Sequence, residues 1–542
     1  MQENAFHPII YVRGYAMTQN EIEDTVADPY MGFNIGSCKV RQLWNGTVKK
    51  YFFESPLVRL LKQFGYDDVY EDGADRVADA RALDPAEAVL PVPYRSIVIY
   101  RYYEPSSEDL GTGEKPDMKR FATGLGQIIL DLRDRIYPDG AKTVITAEER
   151  AMGKLPYDQF RVYLVAHSMG GLVCRTFLQN PTYGDAKARK LVDKVFTYAT
   201  PHNGIEVGVL GNVPNWFKLY GMNTFNRDEI ASLLGLSKPQ RDGDNVDIIT
   251  NFDPRRVFNL VGTNPGDYKA AAGLSSFAVG DASDGLVRIS NATTRSREGK
   301  EFIQSPQAFV HRSHSGFYGI VNSEEGYQNL TRFLFGDVRA DGYLDVDELT
   351  LPPAVQKEKD NGKEVRASYL FEVAVSIRGK PWQLHRRTVN ENSAIFRKFD
   401  ELFPKASKKS ERAPDRKASP MLFNVFLDMG QSQTGKTLAF AADLCVRVPE
   451  YEVDGVLFFK NHFEGGYLFR DMVILEATPP VTNKGTWKVE YRFASDPSSV
   501  KMASVVPGED HHMTIEIPVE QPKPPGIKAR LRVETRFWNR QE

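Results

Sequence analysis

The chain has 542 residues, of which 41% are apolar, 26% charged and 11% aromatic. This apolar share excludes a wholly disordered chain, and the length predicts more than one domain. Lys and Arg number 69 against 71 Asp and Glu, so the net charge of −2 gives no argument for a nucleic-acid partner or for an anionic membrane.

The cysteines and the N-terminal segment bear on the cellular compartment. Cys38, Cys174 and Cys445 lie far apart and form neither a disulfide framework nor a CxxC metal site. The sequence contains no apolar run near the ~18 residues of a membrane span. Its first ten residues show no signal-peptide pattern. We therefore expect a cytoplasmic protein, or one exported by a route that uses no signal peptide.

Residues 1–338 alternate between predicted strands and predicted helices. Short apolar runs predict buried strands at 7–15, 95–104, 160–168, 194–201 and 256–263. Apolar residues at helical spacing predict helices at 54–65, 121–137, 169–180 and 323–336. The alternation predicts an α/β domain, with a mostly parallel sheet that has helices on both faces.

The pattern changes from residue 339 onward. Runs of alternating apolar and polar residues, separated by turn signals, predict an all-β, sandwich-like domain over 339–542. The predicted strands lie at 368–377, 422–429, 455–460, 467–476, 486–493, 512–519 and 529–538. One short helix is predicted at 390–403. The segment 404–420 has six basic and two acidic residues. It is interpreted as a solvated loop, with a membrane-facing loop as the alternative.

Two motifs in this region are discounted. Residues 430–437 match the P-loop pattern, but antiparallel strands follow where a nucleotide site needs a helix and a parallel sheet. Asp337, Asp341 and Glu348 have calcium-loop spacing, but Arg339 stands where a ligand oxygen is required. We expect neither site.

The strongest chemical motif is Ala166-His167-Ser168-Met169-Gly170, which lies between a predicted strand and a predicted helix. A small residue two positions before a serine and another two positions after it permit a tight turn that exposes the hydroxyl at the sheet edge. The helix N-terminus that follows favours developing negative charge. The motif therefore predicts that Ser168 is a nucleophile.

This motif, the segment 198–204 (YATPHNG) and the glycine-bearing strand near the N-terminus resemble the lipase/esterase branch of the α/β-hydrolase superfamily. Bacterial lipases are the main resemblance, with relatives like lecithin:cholesterol acyltransferase nearby. The resemblance covers residues 7–336. It implies an acid and a histidine that follow the serine in that order.

The resemblance assigns the other catalytic residues. The segment Asp284-Gly285-Leu286-Val287 matches the family's acid segment, which implies Asp284, with Asp281 as the rival. The family pattern before the last helix implies His314 as the base, with His311, three residues earlier, as the alternative.

The resemblance also implies an oxyanion hole made by the backbone N–H groups of Tyr15 and Met169. Arg13 departs from the family pattern, which has histidine at that position. His202, in YATPHNG, is expected at the rim of the pocket, and His167 is expected to point away from the site.

Two insertions are expected near the site. Residues 204–250 are rich in apolar side chains and lie where lipases carry a lid, although a fixed cap is an equal alternative. A second insertion spans about 20–53. Four of its apolar and aromatic side chains are candidates for the wall of a substrate channel: Tyr30, Met31, Phe33 and Trp44.

Together these features predict a serine hydrolase that cleaves carboxyl esters of lipids or other apolar acyl compounds through an acyl-enzyme. A phospholipase A or an acyltransferase would use the same three residues, and a non-catalytic binding protein on a hydrolase fold is the remaining alternative. The chemistry requires no metal or organic cofactor. The expected partner is a lipid or small ester, with transient contact to a lipid surface, and no nucleic acid. The oligomeric state stays open.

Overall fold

The structure is a computed structural model of the chain. It describes residues 6–14, 19–42, 45–71, 74–75, 77, 92–114, 116–205, 227–266, 282–316, 318–377, 380, 382–405, 412–430, 437–454, 460–478, 487–508 and 512–539. The chain forms two compact units, Met1–Gln307 with His311–Leu334, and Ala308–Val310 with Phe335–Glu542.

The N-terminal part alternates strands and helices. Its described strands are β1 (Ile9–Val12), β2 (Ser37–Gln42), β3 (Val48–Phe53), β4 (Asp67–Asp68), β5 (Tyr70–Glu71), β6 (Ala74–Asp75), β7 (Ser96–Ile99), β8 (Val162–His167), β9 (Val192–Tyr198), β10 (Val257–Gly262), β11 (Arg295–Glu298), β12 (Glu301–Gln304) and β13 (Gln307–Val310). Its described α-helices are α1 (Gln19–Ala27), α2 (Pro56–Phe64), α3 (Met118–Ile136), α4 (Ala147–Ala151), α5 (Met169–Gln179), α6 (Ala186–Lys190), α7 (Arg227–Leu234) and α8 (Glu324–Phe335).

The central sheet has the strand order β13-β10-β9-β8-β1-β7-β4. The five pairings from β10 to β4 are all parallel. Every residue of β1, β7, β8 and β10 is buried, because these strands are nearly continuous apolar runs. The carboxyl ends of β8, β9 and β10 therefore meet at one edge of the sheet, where the loops that follow them carry the site described below.

Local signals explain where the helices lie. Helix α2 begins after Ser55, whose side chain accepts the N–H of Val58, and it ends at Gly65, which is left-handed with φ 65°. Helix α3 buries nine residues along one side, which is the apolar stripe seen in the sequence. The predicted helices in this unit are found within a few residues of their expected bounds.

The second unit is built from antiparallel strands. They are β14 (Val338–Thr350), β15 (Val365–Ile377), β16 (Gln383–Arg387), β17 (Ile395–Lys398), β18 (Met421–Leu427), β19 (Leu438–Asp454), β20 (Lys460–Thr478), β21 (Lys488–Phe493), β22 (Asp496–Met502), β23 (Ser504–Pro507), β24 (Met513–Gln521) and β25 (Gly526–Phe537). Two short helices accompany them, α9 (Pro353–Asp360) and α10 (Phe399–Leu402).

These strands form two sheets. One has the order β18-β14-β25-β24-β23, and the other has the order β16-β15-β19-β20-β21-β22, with β17 also paired to β15. Buried apolar residues from both sheets make one core, among them Phe371, Val425, Tyr451 and Leu531. The predicted fold class, an α/β unit followed by an antiparallel β unit, is confirmed.

The short helix expected around 390–403 is found only near the end of this segment. Ile395–Lys398 pair with β15 as a strand, and only Phe399–Leu402 are α-helical. Ile395 is buried while its neighbour Phe396 is exposed, so these residues follow the alternation of a half-buried strand and not the spacing of a helix.

The two discounted motifs fall in the second unit. The calcium-like spacing lies largely on strand β14, and residues 431–436 of the P-loop pattern lie outside the described residues, as do 455–459 of one predicted strand. Within the described part of the chain, no helix combines the length and the apolar character that a membrane span needs.

Candidate active site

Ser168 occupies the sharp turn between β8 and α5. Its backbone has φ 52° and ψ −126°, a conformation that costs a non-glycine residue about 1–3 kcal/mol. The turn is fixed because the Ser168 N–H donates to the Tyr198 carbonyl oxygen at 2.9 Å, and the Gly171 N–H donates to the Ser168 carbonyl oxygen at 3.0 Å. The strain is stored at the residue whose hydroxyl the sequence predicts to be the nucleophile.

Small residues allow the turn to pack against β1. A Cβ atom on Gly170 would lie 2.1 Å from the Val12 carbonyl oxygen, and one on Gly14 would lie 2.7 Å from Ser168 Cβ. Ala166, two residues before the serine, is fully buried. These contacts explain in physical terms why the motif needs small side chains on both sides of Ser168.

The structure brings Ser168, His314 and Asp284 together in one hydrogen-bonded chain. Ser168 Oγ lies 2.9 Å from His314 Nε2, and His314 Nδ1 lies 2.9 Å from Asp284 Oδ2. Both His314 and Asp284 are almost fully buried, and Ser168 is partly exposed. This geometry suits transfer of the hydroxyl proton to the imidazole, with the carboxylate holding the ring.

The Asp284 carboxylate is anchored by its own turn. Its Oδ1 accepts the backbone N–H of Leu286 at 3.0 Å and that of Val287 at 2.8 Å, so the other oxygen is directed to His314. The backbone N–H of His314 donates to the Asp284 backbone carbonyl oxygen at 2.9 Å. The acid loop and the histidine loop are thus joined through backbone as well as through side chains.

Two further contacts fix the histidine loop. The buried guanidinium of Arg312 binds the buried carboxylate of Glu325 on α8, with Nη2 2.8 Å from Oε2. His167 Nε2 lies 3.0 Å from the His314 carbonyl oxygen, to which it donates. Burial, together with the nearby His314, holds the pKa of His167 well below its usual range, so His167 is a neutral donor. The prediction that His167 points away from the site missed this contact.

The alternative histidine lies outside the hydrogen-bonded chain, and the alternative acid lies outside the described residues. His311 is exposed, and its Nδ1 lies 3.5 Å from Thr263 Oγ1. Asp281 and Tyr15 both lie outside the described residues. Met169 is the first residue of α5, where a helix leaves the backbone N–H without an intrahelical acceptor.

The second insertion packs into the first unit. Met31 and Phe33, two of the expected channel-wall residues, are buried, and the Phe33 ring lies 4.6 Å from the Tyr11 ring on β1. Arg13, the residue that replaces the family's histidine, donates through Nη1 to the Met31 carbonyl oxygen. Arg13 therefore fastens this insertion to the end of β1. The placement of Trp44 lies outside the described residues.

Arg175, which the sequence analysis did not single out, connects the nucleophile helix to both ends of the predicted lid. It is 2% exposed, and its guanidinium donates to the carbonyl oxygens of His202, Val246 and Ile248 at 2.8–3.0 Å. Burial lowers the pKa of Arg175 to about 9. Residues 206–226 of the predicted lid lie outside the described residues.

His202 does not line a rim. Its side chain has no exposed surface, and its Nε2 lies 3.2 Å from Thr197 Oγ1 on β9. Burial, then the charge of Arg175, holds the pKa of His202 well below its usual range. The expectation of a rim residue is wrong, because the loop after β9 turns this side chain inward.

Among the described residues, one group has side chains close enough to share a metal ion. The ligand atoms of Glu450, Glu452 and His462, in the second unit, lie within 4.8 Å of one another. His462 Nδ1 is 2.9 Å from Glu450 Oε2, which is the geometry of an ordinary exposed ion pair. The three residues lie far in sequence from the serine motif.

The fold and the turn at Ser168 define a class of protein. A parallel sheet, a strained strand–serine–helix turn at its carboxyl edge and an acid and a histidine on later loops are the features of an α/β-hydrolase. A family model described as PGAP1-like alpha/beta domain matches residues 148–232, which include β8 and α5. The α/β-hydrolase fold that the sequence predicts is confirmed.

Solved structures similar to this chain include two bacterial proteins. The lin2722 gene product of Listeria innocua has 12% identity and a TM-score of 0.25, over 60% of this chain and 93% of that one. Phospholipase PlaB from Legionella pneumophila has 13% identity and a TM-score of 0.27, over 81% of this chain and 86% of that one. TM-scores this low carry no argument about activity. No curated protein matches the sequence significantly.

Proposed function

We propose that the protein is a serine hydrolase that cleaves carboxyl esters of lipids or other apolar acyl compounds, with residues 1–338 as its catalytic domain. The observation that carries the proposal is the hydrogen-bonded chain from Ser168 Oγ through His314 to Asp284, at a strained turn. The apolar nature of the acyl group rests on the resemblance to lipases and on the family match.

The reaction follows from the roles of the three side chains. His314 Nε2 accepts the Ser168 hydroxyl proton while Oγ attacks the ester carbonyl carbon, and Asp284 stabilises the imidazolium that forms. The backbone N–H of Met169 donates to the oxyanion, and Tyr15 is the proposed second donor. The tetrahedral species expels the alcohol, which takes the proton from His314. Water then attacks the acyl-enzyme by the same steps in reverse.

Hydrolysis of p-nitrophenyl esters of increasing chain length tests this function. We expect Ser168→Ala and His314→Ala to lose activity by at least about 10³-fold. His311→Ala is the matched control, because this exposed histidine lies outside the hydrogen-bonded chain, and it should keep wild-type activity. Equal activity in the wild type and Ser168→Ala would refute the proposal.

The same assay separates the related activities. Release of free fatty acid from a phospholipid would define a phospholipase A, and transfer of the acyl group to an added alcohol would define an acyltransferase. An inactive protein that binds the ester without turnover would support the non-catalytic alternative.

A further inference from the structure

One surface of the first unit combines positive charge with exposed apolar side chains. We call the described residues 35–42 and 45–53, which contain β2 and β3, the basic hairpin. This segment has four basic residues, Lys39, Arg41, Lys49 and Lys50, and no acidic residue. The net charge of the whole chain is −2, so the basic hairpin departs sharply from the rest of the molecule.

The apolar side chains of the basic hairpin are exposed to an unusual degree. Phe52 is 78% exposed, Ile35 55% and Val48 53%, whereas most large apolar side chains described in this unit are buried. Solvation of these groups by water is unfavourable, so a surface that keeps them exposed favours a partner that covers them.

On β3, Lys50 lies on the same face as two exposed apolar side chains. Val48, Lys50 and Phe52 alternate along β3 and therefore lie on one face of the hairpin. Lys49 projects from the opposite face, and both lysines are exposed. The acidic residue that follows the hairpin, Glu54, is paired with Lys62 and does not neutralise the hairpin lysines.

We propose that the basic hairpin docks the protein onto the surface of an anionic phospholipid bilayer. This inference rests on the proposed function, because a hydrolase of lipid esters must reach substrate held in a membrane. Lys50 would meet the anionic headgroups, and the Phe52 and Val48 side chains on the same face would enter the boundary between headgroups and acyl chains. Long lysine side chains suit this role, since their methylene groups stay in apolar surroundings while the charge remains in water.

The combination of features favours a bilayer over other occupants. A nucleic acid would bind the lysines but leave Phe52 and Val48 in water. A second copy of the hairpin would bring its lysines against like charges. Of these three occupants, the anionic lipid surface is the one that satisfies both the charge and the apolar side chains of the basic hairpin.

Vesicle sedimentation of the Ser168→Ala protein tests the proposal without hydrolysis of the lipid. The probes are vesicles of phosphatidylcholine alone and of phosphatidylcholine with phosphatidylglycerol. We expect binding to the mixed vesicles and at least about tenfold weaker binding to the neutral ones. Raising the salt from about 0.1 M to about 1 M should weaken binding, because it shortens the Debye length from about 10 Å to about 3 Å.

Matched variants locate the surface. Lys49→Gln with Lys50→Gln should lower the partition coefficient by more than about tenfold, and Phe52→Ser and Val48→Ser should each lower it severalfold. The charge control is Lys187→Gln with Lys190→Gln, two exposed lysines on α6, and the apolar control for Val48→Ser is Val144→Ser, at an 83% exposed position. Both controls should bind as the unmodified protein does.

The outcomes are separable from those of the proposed function. Hydrolysis of a soluble short-chain ester by the hairpin variants, made with Ser168 intact, should be unchanged. If the ester assay fails while the vesicle results hold, docking stands and the enzymatic proposal falls. Equal vesicle binding by hairpin variants and controls would overturn the docking proposal. So would salt-insensitive self-association, seen by sedimentation velocity and lost in Phe52→Ser, which would assign the hairpin to a second copy.

Discussion

At the scale of single residues, the two oxygens of the Asp284 carboxylate have different partners. Its Oδ1 is held by two backbone N–H groups, and its Oδ2 orients His314. An amide in its place keeps the shape but presents a different group to His314 Nδ1, which favours the wrong tautomer.

Asp284→Asn is therefore expected to lower kcat by about 10⁴-fold while KM changes little. Steady-state kinetics on a soluble ester measures this effect, and circular dichroism serves as the control for folding. A loss smaller than about tenfold in a well-folded variant would exclude Asp284 as the acid and return attention to Asp281.

A second residue, far from the serine in sequence, is expected to contribute to the pH dependence of folding stability. His7 is buried, with Nδ1 2.9 Å from the Tyr94 hydroxyl, and burial lowers its pKa to about 4. The unfolded chain takes up a proton near pH 6.5, before the folded protein does. Stability from this group is therefore complete above about pH 6.5 and is lost as the pH falls toward 4.

The expected loss from His7 between pH 7 and pH 5 is about 2 kcal/mol of unfolding free energy, which chemical denaturation measures. His7→Gln should remove this part of the pH dependence. His512→Gln, at an exposed histidine, should leave it unchanged. If the two variants respond to pH alike, His7 does not carry the effect.

At the scale of elements, helix α5 does more than present Ser168. About two turns beyond the serine, Arg175 binds backbone on both sides of the predicted lid. Asn203 adds a second connection, since its side chain binds Asn245 at 2.8 Å and accepts the Val246 N–H at 2.8 Å. The base of the insertion is thus tied to the helix that carries the nucleophile.

Arg175→Met should leave the buried carbonyl oxygens of His202 and Val246 without this donor, at a cost of about 2 kcal/mol or more. The Ile248 carbonyl oxygen keeps its second donor, the side-chain amide of Gln179. We expect faster proteolytic cleavage within 203–248 and a lower kcat/KM on long-chain esters. Arg189→Met, which also removes an arginine bound to backbone carbonyls but on α6, is the control. Unchanged cleavage in Arg175→Met would show that this arginine does not hold the insertion.

Much of the architecture could be predicted because its signals are local. Helix α2 carries its cap residues, α3 and α5 carry their apolar stripes, and the buried strands are continuous apolar runs. The grouping of Ser168, Asp284 and His314 was predicted from a family pattern, and their catalytic roles stay a proposal.

The errors share a different cause, which is contact between distant segments. The helix expected at 390–403 is shorter than predicted because residues 395–398 pair with β15, a partner that no local pattern reveals. The carbonyl oxygens that Arg175 binds likewise lie in segments more than 20 residues away. The sequence offers one signal for the role of Arg175, which is a single charged residue in a mostly apolar helix.

At the scale of the whole molecule, each compact unit has its own apolar core. The core of the second unit draws on both of its sheets, and Leu531 at its centre is fully buried. Removing three carbons there leaves a cavity, which typically costs about 2–5 kcal/mol.

Leu531→Ala is expected to lower the unfolding temperature of the second unit, measured by calorimetry, while soluble-ester hydrolysis at 25 °C is retained. Val500→Ala, at an exposed position in the same unit, is the control. Loss of hydrolysis below the unfolding transition of Leu531→Ala would mean that catalysis depends on the core of the second unit.

The central claim is that Ser168 is an activated nucleophile, and covalent labelling tests it most directly. The protein would be treated with a fluorophosphonate and digested, and the modified peptide would be identified by mass spectrometry. The account predicts one label per chain on Ser168, with labelling abolished in Ser168→Ala and strongly slowed in His314→Ala and Asp284→Asn. A folded protein that takes up no label, or takes it up at another serine, would contradict the account.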